Sequence, residues 1–264
     1  MSAEPTRIRV ICLGSGTSHG IPMIGCECPV CTSDDPRDKR TRPGIAVSWA
    51  DCTVLIDTPT ELRLQCVAND IQRADAILFT HHHADHIAGL DDVRRFNWLG
   101  RSPLNCYGMQ ATLDRVRQMF LYAFEDDADY PSHKPDLQLV PIDDGPFELF
   151  GLTVTPIPLM HGPMPVLGYR FGRFAYCTDC NFISEESLEL LTDLEVLILD
   201  AVRLRPHPTH FHLDQAVEMA HRIAARQTYF THIAHQIGHA AVSAGLPPDI
   251  ELAHDGLTFD VASA

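Results

Sequence analysis

The stretch His81-His82-His83-Ala84-Asp85-His86 constrains this chain more than any other. It follows the apolar run Ala76-Ile77-Leu78-Phe79, which is short, β-compatible and bounded by Thr80, so that run reads as a buried strand. Side chains two apart on extended backbone point the same way, which lets His81 and His83 hold one ion together. Asp85 and His86 open the apolar-periodic segment Ile87-Ala88-Gly89-Leu90, read as the first turn of a helix. That turn aims them back at the same place from a different angle. The spacing suits two neighbouring ions, with His81 and His83 on the first and Asp85 and His86 on the second. A surface histidine tract that merely collects metal would explain neither the aspartate nor the strand leading in.

A length of 264 residues suffices for one substantial domain, or at most two small ones. No apolar run approaches the ~20 residues that span a bilayer. The start, Met1 to Arg7, runs into a strand-like segment with no secretory apolar core, so a cytoplasmic protein is expected. Nine cysteines are an odd number, and in a reducing compartment they read as thiols and metal ligands, not a disulfide framework. A formal net charge of −15 argues against a general nucleic-acid binder, which needs a basic footprint. Bound cations would neutralise part of that excess.

Arg7 to Leu13 reads as a strand, followed by Gly14-Ser15-Gly16-Thr17-Ser18-His19-Gly20. This is not a dinucleotide fingerprint: the third glycine comes one place late, and Pro22 and Pro29 forbid the helix that should follow. The loop instead lets backbone pass close to the metal site. Cys26-Glu27-Cys28-Pro29-Val30-Cys31 then places three thiols within six residues, a strong zinc signal one ligand short of a closed tetrahedral site. The metal loop extends over about residues 25–43. Thr53 to Thr58 reads as a strand ending in a carboxylate. Asp57 is there either to accept from a ligand histidine and fix its tautomer, or to serve as a turn or helix-cap aspartate before Pro59. A helix over Glu61 to Ile71 offers Leu62, Leu64 and Val67 to the core, and Leu90 to Leu99 continues the helix begun at the histidine motif. Arg94 and Arg95 read as a solvated face. A strand (Leu104 to Tyr107), a helix (Ala111 to Phe124) and an acidic loop from Glu125 to Asp129 follow.

The second half opens with strands at Leu137 to Pro141 and Phe147 to Leu159. His161 then precedes Gly162-Pro163 and, taken alone, is equally a ligand or an ordinary loop residue. Tyr169 to Tyr176 reads as a hairpin, and Asp179 as a strand-terminal carboxylate suited to bridging two ions. Cys177 and Cys180 read as core thiols. A helix (Ser184 to Leu191), a strand (Val196 to Asp200), the segment His207-Pro208-Thr209-His210-Phe211-His212, a helix (Asp214 to Ala225) and a strand (Thr228 to Thr231) complete the pattern. That last strand ends in His232-Ile233-Ala234-His235. Each His/Asp cluster falls just beyond a strand, which argues for a layered α/β fold with ligands on loops at one sheet edge.

The motif His-x-His-x-Asp-His after a strand resembles the metallo-β-lactamase superfamily of dinuclear metal hydrolases. The likeness runs from the glycine-rich loop to Asp255-Gly256-Leu257. It implies an α/β four-layer αβ/βα sandwich forming a single domain over residues 1–264. It also implies that His81, His83 and His161 bind one divalent ion, that Asp85, His86 and His232 bind the other, and that Asp179 bridges both. A hydroxide between the ions would be the nucleophile, and Zn and Mn both suit such N/O ligands. Cys-x-Cys-x-x-Cys with a later Thr-His-x-x-His resembles the branch of the phosphoribosyl cyclic phosphodiesterases of carbon–phosphorus lyase pathways. There the matching residues Cys26, Cys28, Cys31 and His235 would close a structural zinc site. The same likeness makes His210 a general acid or phosphate contact, with His207 and His212 as lesser candidates, so His210, Asp85 and Asp179 are the expected catalytic residues.

The function implied is a phosphodiesterase on small or cyclic phosphodiesters. A glyoxalase-type thioesterase is disfavoured because no helical extension follows Phe259. A tRNA 3′-processing nuclease is disfavoured by the acidic balance and the lack of a basic, Gly/Pro-rich arm. A non-enzymatic metal-binding protein would leave His210 without a task. No membrane or nucleic-acid partner is expected, and a homodimer stays open.

Overall fold

The computed structural model of the protein describes residues 7–125 and 133–263. Most of the acidic loop after Glu125 therefore lies outside the described residues, as does the chain start. The first sheet has seven strands in the order β15-β1-β2-β3-β4-β5-β6. These are β1 (Ile8–Gly14), β2 (Gly44–Trp49), β3 (Cys52–Ile56), β4 (Ala76–Leu78), β5 (Leu104–Gly108), β6 (Leu137–Pro141) and, from the far end of the chain, β15 (Thr258–Val261). The second sheet has eight: β7 (Phe147–Leu149), β8 (Leu152–His161), β9 (Met164–Phe171), β10 (Phe174–Cys177), β11 (Phe182–Ile183), β12 (Val196–Asp200), β13 (Gln227–Thr231) and β14 (Ile250–Leu252). The helices are α1 (Leu62–Ala68), α2 (Ala84–Ile87), α3 (Arg94–Gly100), α4 (Gln110–Met119), α5 (Leu121–Phe124), α6 (Glu185–Glu189), α7 (Leu213–Ile223) and α8 (His239–Ser243).

Period-2 alternation along fully apolar strands produces the layers. Val10, Val54, Leu78, Tyr169, Tyr176 and Ile198 fill the space between the sheets. Their neighbours Ile11, Leu55, Ile77 and Phe79 face outward onto α1, α3 and α4. On the other side Ala175, Cys177, Leu197 and Leu199 face α7. Strands buried on both faces read as unbroken apolar runs, and three cores separate four layers, αβ/βα. Each large side chain buried this way contributes about 1.5–3 kcal/mol.

Each sheet is antiparallel on one side and parallel on the other. β3, β4, β5 and β6 run parallel, as do β10, β12, β13 and β14. Their carboxyl ends gather at one edge, where open α/β sheets bind ligands. Two hydrogen bonds tie the sheets together at that edge: the Tyr169 hydroxyl donates to the Phe79 carbonyl (2.8 Å), and the Leu167 N–H to the Thr80 carbonyl (3.0 Å).

Several elements differ from their sequence reading. In α1 the buried residues are Leu62, Gln65 and Cys66, while Leu64 and Val67 are exposed. The helix is turned by Gln65, whose amide donates to Thr41 Oγ1 and to the Arg42 carbonyl, both at 2.8 Å. The helix after the histidine motif is not continuous: α2 ends at Ile87, a 3₁₀ turn covers Leu90–Val93, and α3 starts only at Arg94. The strand expected over Phe147 to Leu159 is a hairpin, β7 and β8, folded at Phe150 and Gly151, which take φ of 49° and 79°. His161 is the last residue of β8, not the first of a loop.

Candidate metal centre

The first cluster is assembled from three elements. β4 ends and the chain leaves it extended, so His81 turns into the sheet edge, fully buried, while His83 follows two residues on at the N-cap of α2. His161 arrives at the end of β8, and Asp179 just past β10. One ligand atom from each of these four lies within 4.8 Å of the others. Asp85, His86, Asp179 and His232 form a second such group, so Asp179 stands in both. His86 Nε2 and His232 Nε2 are each 3.3 Å from Asp179 Oδ2 and 3.6 Å from Asp85 Oδ2. Ligands at 2.0–2.1 Å around a tetrahedral ion would stand ~3.3 Å apart.

The other ring nitrogens of His81, His86 and His161 already have polar neighbours, whereas His232 Nδ1 is buried with no hydrogen-bond partner. His86 Nδ1–H donates to Asp57 Oδ2 at 2.7 Å, and His161 Nδ1–H to the Thr209 carbonyl at 2.7 Å. Thr80 Oγ1 lies 3.0 Å from His81 Nδ1 and donates to Asp57 Oδ2 at 2.8 Å. Asp57 therefore braces the motif and caps no helix. The inward nitrogens are left over: Nε2 of His81, His86 and His232 are all buried with no hydrogen-bond partner. Buried polar atoms are seldom orphaned, and three converging on two carboxylates fit divalent ions. Asp57, Asp179 and His232 take φ of 65°, 55° and 58°, left-handed conformations that cost about 1–3 kcal/mol each and cluster at functional sites.

The electrostatics match. Burial pushes His81, His83 and His161 below the ordinary imidazole range, so they are neutral nitrogen donors. Burial works to raise the Asp85 carboxyl, but His86 and His232 outweigh it and hold it at about 2; Asp179 is likewise held low. For His86, burial is overcome by Asp179, Asp57 and Asp85, which raise it. The carboxylates of the second cluster thus favour positive charge at their centre, which a cation would supply.

Cys26, Cys28, Cys31 and His235 form a third group. His235 Nδ1 lies 3.2, 3.4 and 3.9 Å from the sulfurs of Cys26, Cys28 and Cys31. Zn–S and Zn–N bonds of 2.3 and 2.0 Å at tetrahedral angles give ~3.5 Å between ligands. The Cys31 N–H pulls Cys28 down to about 6, whereas burial and the neighbouring thiols push Cys31 up to about 11. All nine cysteines are free thiols, and Cys177 and Cys180 are fully buried core residues.

His210 stands beside both of the first two clusters, its ring centroid 4.4 Å from that of His161 and 4.6 Å from that of His232. Its Nδ1–H donates to Asp200 Oδ2 at 2.8 Å, which leaves Nε2 as its other polar atom. Burial lowers its pKa, opposed by Asp179. His207 lines the same cleft. His212 does not: it is the N-cap of α7, paired with Gln215. Arg94 pairs with Asp91 and Arg95 lies over Trp98, away from the cleft. Asp200 escaped the sequence reading although it ends β12 as Asp57 follows β3, and that position was its only signal. Asn181 also escaped it; its side chain joins the Gly162 N–H to the Pro208 carbonyl and so ties His161's turn to His210's loop.

The family model of the beta-lactamase superfamily domain matches residues 52–233. The chain belongs to the beta-lactamase superfamily. A solved structure described as a new diphosphatase from the PhnP family shares 41% identity, a TM-score of 0.91 and 97% coverage of both chains, which places the chain in that branch. A Porphyromonas gingivalis protein named octanoyltransferase is 38% identical over 254 residues, covering 95% of this chain and 51% of that protein. The Zn(2+)-bound PqqB of Methylobacterium extorquens has the same fold, with a TM-score of 0.76 at 22% identity over 96% of this chain and 100% of that one. The chain spans about half the length of the curated relatives it matches first (51%, 40% and 56%). It has the metallo-β-lactamase fold, and no helix among the described residues is long and apolar enough to cross a membrane.

Proposed function

We propose that the protein is a dinuclear phosphodiesterase acting on small or cyclic phosphodiesters. The observation that carries this is the sharing of Asp179 between two four-residue clusters, with the His210–Asp200 pair directly beside them. His81, His83 and His161 would hold one divalent ion, Asp85, His86 and His232 the other, and Asp179 both, with Zn or Mn as the metal. Such a pair, when bound, lowers the pKa of water and stabilises charge on a phosphoryl oxygen. Cys26, Cys28, Cys31 and His235 would hold a structural zinc, since four protein ligands leave no open position. A single domain over residues 1–264 fits the pairing of β1 with β15 and the core shared by both sheets. Six free thiols beside three proposed zinc ligands fit a reducing, cytoplasmic setting.

The chain's own residues supply the rest. His210 in its protonated form donates from both ring nitrogens, through Nδ1 to Asp200 and through Nε2 to the oxygen of the departing alkoxide. Asp200 fixes the ring and stabilises the imidazolium. Asp57 and Thr80 hold the His86 and His81 rings in place. The cleft bordered by Thr17, Ser18, His207, His210 and His232 has a volume of ≈ 340 Å³, at the small end of ligand sites, which favours a small substrate.

A hydrolysis panel of bis(p-nitrophenyl) phosphate, cyclic phosphates, thioesters and a tRNA precursor tests the substrate class. Diesters of phosphate should be turned over fastest; faster thioester cleavage would count against the proposal. His210→Ala should slow an alkyl phosphodiester about 10²–10⁴-fold at unchanged metal content, with a much smaller loss for a p-nitrophenyl ester. Equal losses on both would make His210 a phosphate contact, and no loss on either would remove it from the reaction.

A further inference from the structure

Four residues, His232 to His235, carry a ligand for the second catalytic ion at one end and the fourth ligand of the thiolate site at the other. What fixes this loop lies outside both metal sites. The Ile233 N–H donates to the Ser15 carbonyl at 2.9 Å, and the Ala234 N–H to the Val202 carbonyl at 2.9 Å. Ser15 is itself clamped. Asp255 Oδ1 accepts from the Ser15 N–H (2.9 Å) and hydroxyl (2.8 Å), and Oδ2 accepts from the Thr41 N–H (2.7 Å) and hydroxyl (2.6 Å). The Gly16 N–H closes the ring by donating to the Thr41 carbonyl at 2.8 Å. Beside Thr41, the fully buried Arg40 donates to Asp38 at 2.8 Å and points Nη1 at the Ala234 carbonyl, 3.5 Å away.

We propose that Asp255 is a positioning residue for the second catalytic ion, acting through Ser15 and Ile233 on His232. This rests on the assignment of His232 as a ligand of that ion. Only a carboxylate serves here, because each of its oxygens accepts two hydrogen bonds. An amide has a single acceptor atom and would turn its own N–H groups on Ser15 or Thr41. Loss of the clamp leaves the Ser15 carbonyl unfixed and with it the left-handed turn at His232. The ligands His81, His83 and His161 of the first ion stand on other elements, after β4 and at the end of β8, and provide an internal control.

The test is Mn²⁺ titration calorimetry on the full chain depleted of its two catalytic ions but with zinc kept in the thiolate site, below the melting temperature of each variant, with His232→Ala marking which of the two ions is the second. Asp255→Asn should weaken that ion by about 10–100-fold, the usual effect of losing a group that orients a ligand, and leave the other nearly unchanged. Ser15→Ala and Thr41→Val each remove one hydroxyl and should weaken the same ion by less. If Asp255→Asn does not fold, these two variants decide by the same criterion. Unchanged affinities, or both ions weakened equally as a general loosening would do, overturn the proposal. If His232→Ala weakens neither ion, the ligand assignment itself fails, and the role of Asp255 with it.

Discussion

At the scale of single residues, the thiolate cluster and the catalytic clusters differ in what a lost ligand removes. The group of Cys26, Cys28, Cys31 and His235 ties the loop before β2 to the loop after β13, so the free energy of binding the proposed structural zinc there would be folding free energy. Cys28→Ser should lower stability by about 3 kcal/mol or more, roughly 6–12 °C in Tm for a chain of this size, with turnover per folded molecule largely kept. Asp85→Ala should melt near the parent temperature and lose about 100-fold or more in turnover. Thermal melts and rates on both variants check this; an inactive Cys28→Ser protein with an unchanged Tm would refute the structural assignment. The residues legible in the sequence were those whose chemistry is adjacent in the chain: His81, His83, Asp85 and His86, or Cys26, Cys28 and Cys31. Asp200 was not legible, because its link to His210 is made by the fold, across the turn that brings Phe211 N–H to the Cys180 carbonyl. Asp255, 214 positions beyond Thr41, could not be paired with it from order alone.

Among the elements, α2 is the one on which the site depends, and its brevity has a cause. Gly89 passes so close to the chain before α1 that an added Cβ would sit 2.0 Å from the Pro59 carbonyl oxygen and 3.1 Å from Leu62 Cβ. The Gly89 N–H donates to the Thr58 carbonyl, and the Thr58 N–H to the His86 carbonyl, so the turn is stitched to the end of β3. An apolar-periodic sequence gave no sign of this close approach, and so the segment looked like one continuous helix. Gly89→Ala should cost about 1–3 kcal/mol through overpacking and lower Tm by several degrees. A melt within one degree of the parent would show that the turn relaxes freely and that the packing is not what ends α2. In α1 the core expectation held for Leu62 and failed for Leu64 and Val67, for a related reason: a polar residue, Gln65, points inward because Thr41 and Arg42 offer it partners.

Over the whole molecule, two sheets that are each part antiparallel and part parallel bring the ends of β3, β4, β10, β12 and β13 to one edge. The alternation of strand and helix made this layered arrangement readable, since unbroken apolar strands must be covered on both faces. Which strands pair, and that β15 returns from the chain end to flank β1, depends on long-range register that no local pattern encodes. The same edge gathers eleven residues with metal-ligating side chains, which the proposed function divides into seven for two catalytic ions and four for a structural one. Elemental analysis of gently purified, fully loaded protein measures this partition directly. Three metal ions per chain are predicted, with zinc in the thiolate site; a fully active preparation holding a single ion per chain would contradict it.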